Sequence, residues 1–335
     1  MKVLLYTEGE KTISKSGLGK AIKHQMKALS YASISYTTNI HDDYDILHIN
    51  TYLPFSYNLA VRAKKNGKKV VYHAHSTEED YKDGFIFAKQ TAKAFKKWLI
   101  KCYSVGDVIV TPTPYSKRLL EGYGLNKKIY AISNGIDINK FRHNDKLAKV
   151  FRSTYNYSSF DKVIIGVGLY IERKGIVDFV NLAKMMPEYK FIWFGYSPLV
   201  AATKPVKDAV NTSLDNLIFA GYVDSDMIIG AMSGCDLYLF PTFEETEGIP
   251  IIEACACRCK ALIRDIPVFD DWLVDGVNVY KARDIFEFEK KIRMIINNEL
   301  PDLTDSAYKV AYDRRLEVIG EKLKKVYEEV LNDKN

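Results

Sequence analysis

The stretch "KVIIGVGLYIERKGIVDFVNLAKMMPEYKFIWFG", residues 162–195, decides the fold class. It opens with an apolar run, continues through a segment long enough for a helix, and closes with a second apolar run. Near-continuous apolar strands separated by helices are typical of parallel sheets that are covered on both faces. The stretch therefore predicts one β-α-β unit of a doubly wound α/β domain.

The same alternation extends in both directions along the chain. The apolar runs before this unit are "KVLLY" (2–6), "DILHIN" (45–50), "KKVVYHAH" (68–75), "DVIVTPT" (107–113) and "IYAIS" (129–133). The runs after it are "LIFAGY" (217–222), "DLYLFPT" (236–242) and "KALIRD" (260–265). A polar stretch near residues 142–162 separates the two series. We predict two Rossmann-like domains, 1–150 and 151–314, with a C-terminal helix over 315–335 that packs back on the first.

Composition limits the class of protein. The chain has 335 residues, 47% of them apolar and 27% charged, with a formal net charge of +6. This composition is ordinary for a soluble globular protein, and the charge is too small to indicate a nucleic-acid partner by itself. No apolar run reaches the roughly 18 residues of a spanning helix, and "MKVLLYTEGE" turns acidic too early for a secretory signal. We expect a cytoplasmic protein.

Two positions after strands of the first domain have residue types that suit an anion or a sugar. Gly17 and Gly19 precede a helix expected to begin near Lys20, and small residues there let backbone N–H groups approach a phosphate. His75 ends a strand on the same side as His73, where an imidazole can hydrogen-bond a sugar hydroxyl or a leaving group. Alone, each pattern also fits a plain glycine turn or a structural histidine.

The second domain supplies cations and carboxylates. Arg173 and Lys174 stand before a helix, where two cations suit a diphosphate, although a solvated surface pair has the same sequence. The segment "EETEGIPIIEACACRCK" (244–260) follows an apolar strand. Its Glu245 and Glu253 flank a glycine turn, and we expect Glu253 in the first turn of a helix that begins near Pro250. Such carboxylates can accept hydrogen bonds from sugar hydroxyls, although an acidic, solvated loop is the alternative.

Taken together, these motifs resemble a known family. The elements that match it are "SNGID" (133–137), "RKG" (173–175), "GYVD" (221–224), the spacing of Glu245 and Glu253, "EACA" (253–256) and "DG" (275–276). The chain resembles the retaining glycosyltransferases of the GT-B fold, in the large family 4 (group 1) that includes sucrose, glycogen and lipid-linked sugar transferases. Segments such as "VVYHAHSTEEDY" and "TPTPYSKRLLEGYG" are similar to bacterial enzymes that add a second hexose to monoglucosyl-diacylglycerol.

The resemblance implies a UDP-sugar-dependent hexosyltransferase that moves glucose or galactose to a glycolipid. Its implied catalytic residues are His75 near the anomeric centre, Arg173 and Lys174 on the diphosphate, and Glu245 on the hexose hydroxyls. The implied nucleotide-sugar-binding residues are Gly17, Gly19, Gly221, Tyr222, Val223, Gly248, Ile249 and Glu253, with Glu253 on the ribose. No motif supplies an obvious nucleophile, so we expect front-face attack.

Two features depart from the family. Leu169 stands where many members carry an arginine, and Arg258 stands where many have glycine. We expect no metal or other cofactor, because cations take the place of a metal in this family. The two D-x-D patterns, Asp43 to Asp45 and Asp224 to Asp226, are accordingly interpreted as surface acids.

The first domain concentrates positive charge. Residues 61–101 contain eleven lysines and arginines and four acids, a net charge of +7. A basic amphipathic helix with aromatic residues is typical of membrane-surface binding. The residues predicted to face an anionic membrane are Phe85, Phe87, Lys89, Lys93, Lys96, Lys97 and Trp98. We expect the stripe of Ala88, Ala92, Phe95, Leu99 and Cys102 to pack on the sheet, and the protein to associate peripherally with the inner face of the cell membrane.

Two other classes stay open. A glycosyltransferase with a soluble or polysaccharide acceptor would be indifferent to anionic lipid. A basic nucleic-acid-binding module without catalysis is the more remote alternative, because the lysines come with no base-stacking motif and the Glu245–Glu253 pair would face a polyanion.

Overall fold

The computed structural model describes residues 1–9, 16–82, 84 and 86–333. Phe85, one of the predicted membrane residues, lies outside this range. The described residues divide into two compact units. The first comprises Met1–Tyr81, Gln90–Asp137 and Asp313–Asn335, and the second comprises Lys82–Lys89 and Ile138–Tyr312.

The first unit contains a parallel sheet of six strands, counted over the described residues. Its strands are β1 (Lys2–Tyr6), β2 (Ser35–Thr37), β3 (Ile46–Ile49), β4 (Lys69–His73), β5 (Val108–Thr111) and β6 (Lys128–Ala131). The order across the sheet is β2-β1-β3-β4-β5-β6. It reverses between β1 and β3, and ligands in open α/β sheets bind beside such a reversal at the carboxyl ends of the strands.

Helices cover both faces of the first sheet. They are α1 (Gly17–Tyr31), α2 (Pro54–Lys65), α3 (Glu78–Lys82), α4 (Ala88–Tyr103), α5 (Pro114–Glu121) and the C-terminal α13 (Leu316–Asn332). On one face, Val3 and Val71 pack with residues of α1 and α13, including Leu323. On the other, Val70 packs with residues of α2, α4 and α5, including Leu99. The alternation of buried side chains along each strand therefore fills two separate cores.

The second unit repeats the architecture in the described residues, with a sheet of order β12-β11-β10-β7-β8-β9. Its strands are β7 (Val163–Val167), β8 (Lys190–Phe194), β9 (Leu217–Gly221), β10 (Leu237–Phe240), β11 (Ala261–Arg264) and β12 (Tyr280–Ala282). Its helices are α6 (Asp145–Thr154), α7 (Ile176–Met185), α8 (Lys204–Val210), α9 (Ser225–Gly234), α10 (Ile249–Ala256), α11 (Ile285–Ile296) and α12 (Thr304–Tyr312). The strand order reverses between β7 and β10, which places the loops after these two strands side by side.

The unit boundary differs from the predicted one. The sequence predicts a boundary after residue 150, whereas the second unit already begins at Ile138. The reason is that α6 packs on α9 of the second unit. A Cβ on Gly230 of α9 would lie 2.5 Å from the carbonyl oxygen of Leu147, so only glycine allows this close approach.

The C-terminal segment is helical. The helix predicted over 315–335 corresponds to α13, which runs from Leu316 to Asn332, and a separate helix, α12, ends before it at Tyr312. Ile319, Leu323 and Val326 lie on the buried face of α13. Among the described residues, no helix is both long and apolar enough to cross a bilayer.

Candidate active site

Two adjacent loops of the second unit hold the charged residues that the sequence singles out. The loop after β7 carries a short 3-10 helix, Glu172–Lys174, which ends at Gly175 with φ +74°. A Cβ at Gly175 would lie 2.2 Å from the carbonyl oxygen of Pro241, in the loop after β10. Both the positive φ and the close backbone approach require glycine, and they hold the two loops together.

Hydrogen bonds fix the register of these loops. The carbonyl oxygen of Arg173 accepts from the Phe243 amide at 2.8 Å. Arg173 Nη1 donates to the carbonyl oxygen of Glu244 at 2.6 Å. The loop after β10 is therefore tied to Arg173 through both the backbone and the side chain.

Glu245 lies at the centre of the cluster and is 6% exposed. Its Oε1 accepts from Lys174 Nζ and, at 3.0 Å, from Thr242 Oγ1, while Arg173 Nη1 lies 3.5 Å from Oε2. Burial raises the pKa of the Glu245 carboxyl, but Lys174 and Arg173 outweigh burial and hold the pKa below its ordinary value. A buried, ionised carboxylate and two cations thus share the edge of the sheet where the strand order reverses.

Glu253 is placed differently from the prediction. Helix α10 begins at Ile249, so Glu253 falls in the second turn and not the first, and it is 0% exposed. Gly248 precedes the helix, and Ile249 is buried at its first position. A second buried acid, Glu247, is 1% exposed and was not selected from the sequence. Its only signal there is the excess of acids in 244–247, which does not tell a buried carboxylate from a solvated one.

The "GYVD" motif turns the chain from β9 into α9. Gly221 ends the strand with φ +69°, Tyr222 is 57% exposed, and Val223 is half-buried. Asp224 caps α9 by accepting from the Met227 amide at 2.9 Å, a local structural role for one acid of the second D-x-D pattern. In the described residues, no group of three or more histidines, cysteines or acids is arranged to hold a metal ion.

The first unit holds the other three predicted residues. Helix α1 begins at Gly17, earlier than predicted, so Gly17 and Gly19 form its first turn and Ser16 Oγ accepts from the Gly19 amide at 3.3 Å. The ring of His75 stacks on that of His73, with centroids 3.9 Å apart, as strand alternation predicts. Burial lowers the pKa of His75 to about 3, so its ring is neutral at physiological pH.

The basic segment forms α4, and its predicted inward stripe is buried at Ala92, Leu99 and Cys102. Two residues predicted to face a membrane have partners within the first unit. Trp98 Nε1 donates to the carbonyl oxygen of Tyr52 at 2.6 Å, and Lys96 pairs with Glu78 at 3.2 Å. Trp98 is half-buried and its indole N–H is hydrogen-bonded within the first unit, so its contact with lipid stays a prediction that concerns the exposed part of the ring.

The other predicted positions of this segment are exposed. Phe87 is 70% exposed, and the exposed lysines are Lys89, Lys93 and Lys97. Lys89, Lys93 and Lys97 recur at intervals of four residues and so share one side of α4, and Phe87 directly precedes the helix. They form what we call the basic face of α4, defined by these four residues.

Two Rossmann-like units, the second with a carboxylate and two cations at the switch point of its sheet, match the architecture of glycosyltransferases of the GT-B fold. The structure is similar to sucrose-phosphate synthase of Thermosynechococcus elongatus, with a TM-score of 0.81 and 14% identity over 98% of this chain and 99% of that one. It is also similar to HepE of Anabaena, solved with UDP-glucose, with a TM-score of 0.80 and 16% identity over 98% and 100% of the two chains.

Sequence comparison identifies the family. Residues 20–140 match the model of Glycosyltransferase Family 4, and residues 151–314 match that of Glycosyl transferases group 1. The processive diacylglycerol alpha-glucosyltransferase of Acholeplasma laidlawii is 39% identical over 335 residues, all of both chains. The alpha-galactosylglucosyldiacylglycerol synthase of Streptococcus pneumoniae is 23% identical over 80% of this chain and 74% of its own. The chain belongs to the group 1 glycosyltransferases of family 4.

Proposed function

We propose that this enzyme transfers glucose or galactose from a UDP-sugar to monoglucosyl-diacylglycerol, with retention at the anomeric carbon. The observation that carries the proposal is the 39% identity to a diacylglycerol glucosyltransferase over all 335 residues. This identity extends through the first unit, where we expect the acceptor to be selected. A transferase acting on a soluble acceptor stays the alternative.

The donor site is proposed at the two adjoining loops of the second unit. Lys174, assisted by Arg173, neutralises charge on the departing diphosphate, and Glu245 accepts hydrogen bonds from hexose hydroxyls. An ammonium has three N–H donors, so Lys174 can hold Glu245 and a phosphate oxygen together. Fixed charges aimed at the developing charge of a transition state are usually the largest catalytic contribution.

The remaining roles follow the family pattern. Glu253 binds the ribose, and the backbone of Gly248 and Ile249 approaches phosphate. The segment 221–223 (Gly221, Tyr222, Val223) receives the base, Gly17 and Gly19 receive the diphosphate in the first unit, and His75 faces the anomeric centre. The bond from the anomeric carbon to UDP breaks as the acceptor oxygen attacks the same face, and the acceptor proton passes to the departing phosphate oxygen.

The test is a donor screen on monoglucosyl-diacylglycerol in vesicles that contain anionic lipid, with products resolved by mass and linkage. Wild type should give a diglycosyl-diacylglycerol from one UDP-hexose, and Glu245→Gln should give none. Glu172→Gln is the matched control, because Glu172 is an exposed acid in the loop that carries Lys174. Equal transfer to a soluble glucoside, indifferent to lipid, would establish the alternative.

We further propose that the basic face of α4 holds the enzyme on the inner face of the cell membrane. Each lysine near an anionic surface contributes about 1 kcal/mol, screened over roughly a Debye length. Changing Lys89, Lys93 and Lys97 to serine should weaken vesicle co-sedimentation by about 100-fold at low salt.

A control variant with three lysine-to-serine changes removes the same amount of charge from the opposite face of the first sheet. Lys23 lies on α1, and Lys322 and Lys325 lie on α13; all three are exposed. Their change to serine should leave vesicle binding within twofold of wild type. Equal losses in the two triples would assign the binding to net charge and not to α4.

A further inference from the structure

Six polar side chains of the first unit form one hydrogen-bonded group, which we call the histidine cluster. Its members come from α1, β3, β4, α13 and the loops after β3 and β4. They are Gln25, His48, Asn50, His73, His75 and Tyr327. All except the half-buried His75 are buried, at 5% exposure or less. Asn50 directly follows β3, one of the two strands where the order of the sheet reverses.

The side-chain amides of Asn50 and Gln25 fix the direction in which hydrogen bonds are donated through the cluster. Asn50 Nδ2 donates to Gln25 Oε1 at 2.9 Å, which leaves Asn50 Oδ1 as the acceptor for His75 Nε2, 3.0 Å away. Because an amide oxygen cannot donate, the proton of the neutral His75 ring must lie on Nε2. The other ring nitrogen, Nδ1, then carries a lone pair.

The same direction of hydrogen-bond donation extends through His48 to Tyr327 on the C-terminal helix α13. Gln25 Nε2 lies 2.8 Å from His48 Nε2 and donates to it, so the His48 proton lies on Nδ1, which donates to Tyr327 Oη at 2.7 Å. His73 Nδ1 lies 3.1 Å from the same His48 Nε2 atom and shares its single lone pair with Gln25 as the longer, weaker donor. This leaves a lone pair on His73 Nε2, a buried atom with no hydrogen-bond partner among the described residues.

The opposite direction of hydrogen-bond donation through the cluster is less favourable. With both amides reversed, His48 would carry its proton on Nε2, and His73 Nε2 would be a buried N–H donor without a partner. Orphaned N–H groups in protein interiors are rarer than under-used acceptors. Burial lowers the pKa of His48 to about 3, and it also lowers that of His73, so neither ring gains a second proton at neutral pH.

We propose that Asn50, Gln25, His48 and Tyr327 are positioning residues that hold His75 in the tautomer with its proton on Nε2. His75 Nδ1 is then a permanent acceptor for a substrate hydroxyl, while the stacked ring of His73 fixes the plane of the imidazole. The proposal rests on the role proposed above for His75. It adds that a tyrosine on the last helix and a glutamine on the first determine the side of the ring that is protonated.

The direct test is 15N NMR of the full chain labelled at histidine, with the His75 signal assigned by its loss in His75→Gln. Wild type should show the Nε2–H tautomer. Asn50→Leu should give a mixture, and Asn126→Leu, an exposed asparagine of the same unit, should match wild type. A wild-type ring protonated on Nδ1 would overturn the proposal. This readout needs no turnover, so it stands apart from a failure of the proposed function.

Kinetics supply the second test. Asn50→Leu should lower kcat about 100-fold and Tyr327→Phe about tenfold, with KM for the UDP-sugar within twofold, as for lost orienting partners. Asn50→Asp keeps the oxygen that accepts from Nε2 and should recover most of the lost kcat, although a buried carboxylate lowers stability. A purely structural role predicts the reverse order, with Asn50→Asp the worse variant. That order, or an unchanged kcat in Tyr327→Phe, contradicts the proposal.

Discussion

Replacing Lys174 with methionine tests whether the charge cluster acts as one unit. The Lys174 and Glu245 side chains are 14% and 7% exposed, so each is largely removed from water. Removal of one partner of a buried ion pair typically costs about 3–5 kcal/mol, because the other charge is left uncompensated. Arg173, 3.5 Å from Glu245, and Thr242 remain, so we expect the lower end of this range, about 3 kcal/mol.

The double variant separates stability from catalysis. Lys174→Met with Glu245→Gln removes both charges, and most of the lost stability should return, since removal of a whole buried pair is often nearly neutral. Turnover should not return. The single variant Lys174→Met should lower kcat by roughly 100-fold, the equivalent of about 3 kcal/mol in the transition state.

The assay is urea denaturation followed by tryptophan fluorescence, beside single-turnover transfer for the same variants. Lys184→Met on α7 is the matched control, because Lys184 is exposed and should change stability by less than about 0.5 kcal/mol. A loss below 1 kcal/mol in Lys174→Met, or a double variant no more stable than the single, would refute the reasoning that Glu245 depends on Lys174 for its charge.

Three further outcomes follow from the same structure. Glu253→Ala should raise KM for the UDP-sugar more than it lowers kcat, and its full burial predicts a measurable fall in melting temperature as well; an unchanged KM contradicts the ribose role. Gly175→Ala should unfold the second unit at lower urea than wild type, because its Cβ would meet Pro241 at 2.2 Å, and equal midpoints would show that the loops can separate. Burial lowers the pKa of His48 and of His75 to about 3, against 6.5 when exposed, and lowers that of His73 as well, so the unfolded state binds more protons and stability falls as pH drops below 6.5. The three rings together predict a loss of at least about 4 kcal/mol between pH 7.5 and 5, measured by urea midpoints, and a flat profile contradicts it.

Most of the strands that were predicted are central strands, which are buried on both faces. Each of the ten apolar runs overlaps a strand of the structure; eight of these strands are central, and the other two, β6 and β9, lie at sheet edges. The two strands missed, Ser35–Thr37 and Tyr280–Ala282, have three residues each and lie at the edges of their sheets. Three residues are too few to show a run of apolar side chains, and this holds even for Tyr280–Ala282, whose residues are all buried.

The sequence indicates which residue types lie at the candidate site, but it does not indicate which of them are hydrogen-bonded to each other. Glu245 and Lys174 each follow a predicted strand closely, so the sequence places both at the carboxyl ends of the strands. Their hydrogen bond joins residues 71 apart in the sequence, and no local pattern indicates it. The hydrogen bond of Trp98 was not predicted for the same reason, since its partner Tyr52 is 46 residues away. Long-range partners are set by strand order, which local periodicity does not contain.

His73 and His75 were noted in the sequence, but the rest of the histidine cluster was missed because His48 and Asn50 look like parts of a buried strand and because Gln25 and Tyr327 lie on distant helices. His48 and Asn50 both fall within or beside "DILHIN", which the sequence analysis treated as an apolar run. Polar residues two apart at the carboxyl end of a buried strand share one face. Since buried polar side chains are almost always hydrogen-bonded, that spacing was a usable signal for a polar network.

The departure at Leu169 acquires a physical interpretation from the position of Arg173. Leu169 is 39% exposed and offers no charge at the place where many family members carry an arginine. Arg173 does not simply replace that charge, because Nη1 donates to the Glu244 carbonyl and lies beside Glu245. We infer that Arg173 first holds the loop and keeps Glu245 ionised, so that Lys174 carries the larger part of the stabilisation of the diphosphate. A carboxylate in a buried site stays charged only where nearby groups compensate it, and Lys174 and Arg173 provide that compensation for Glu245.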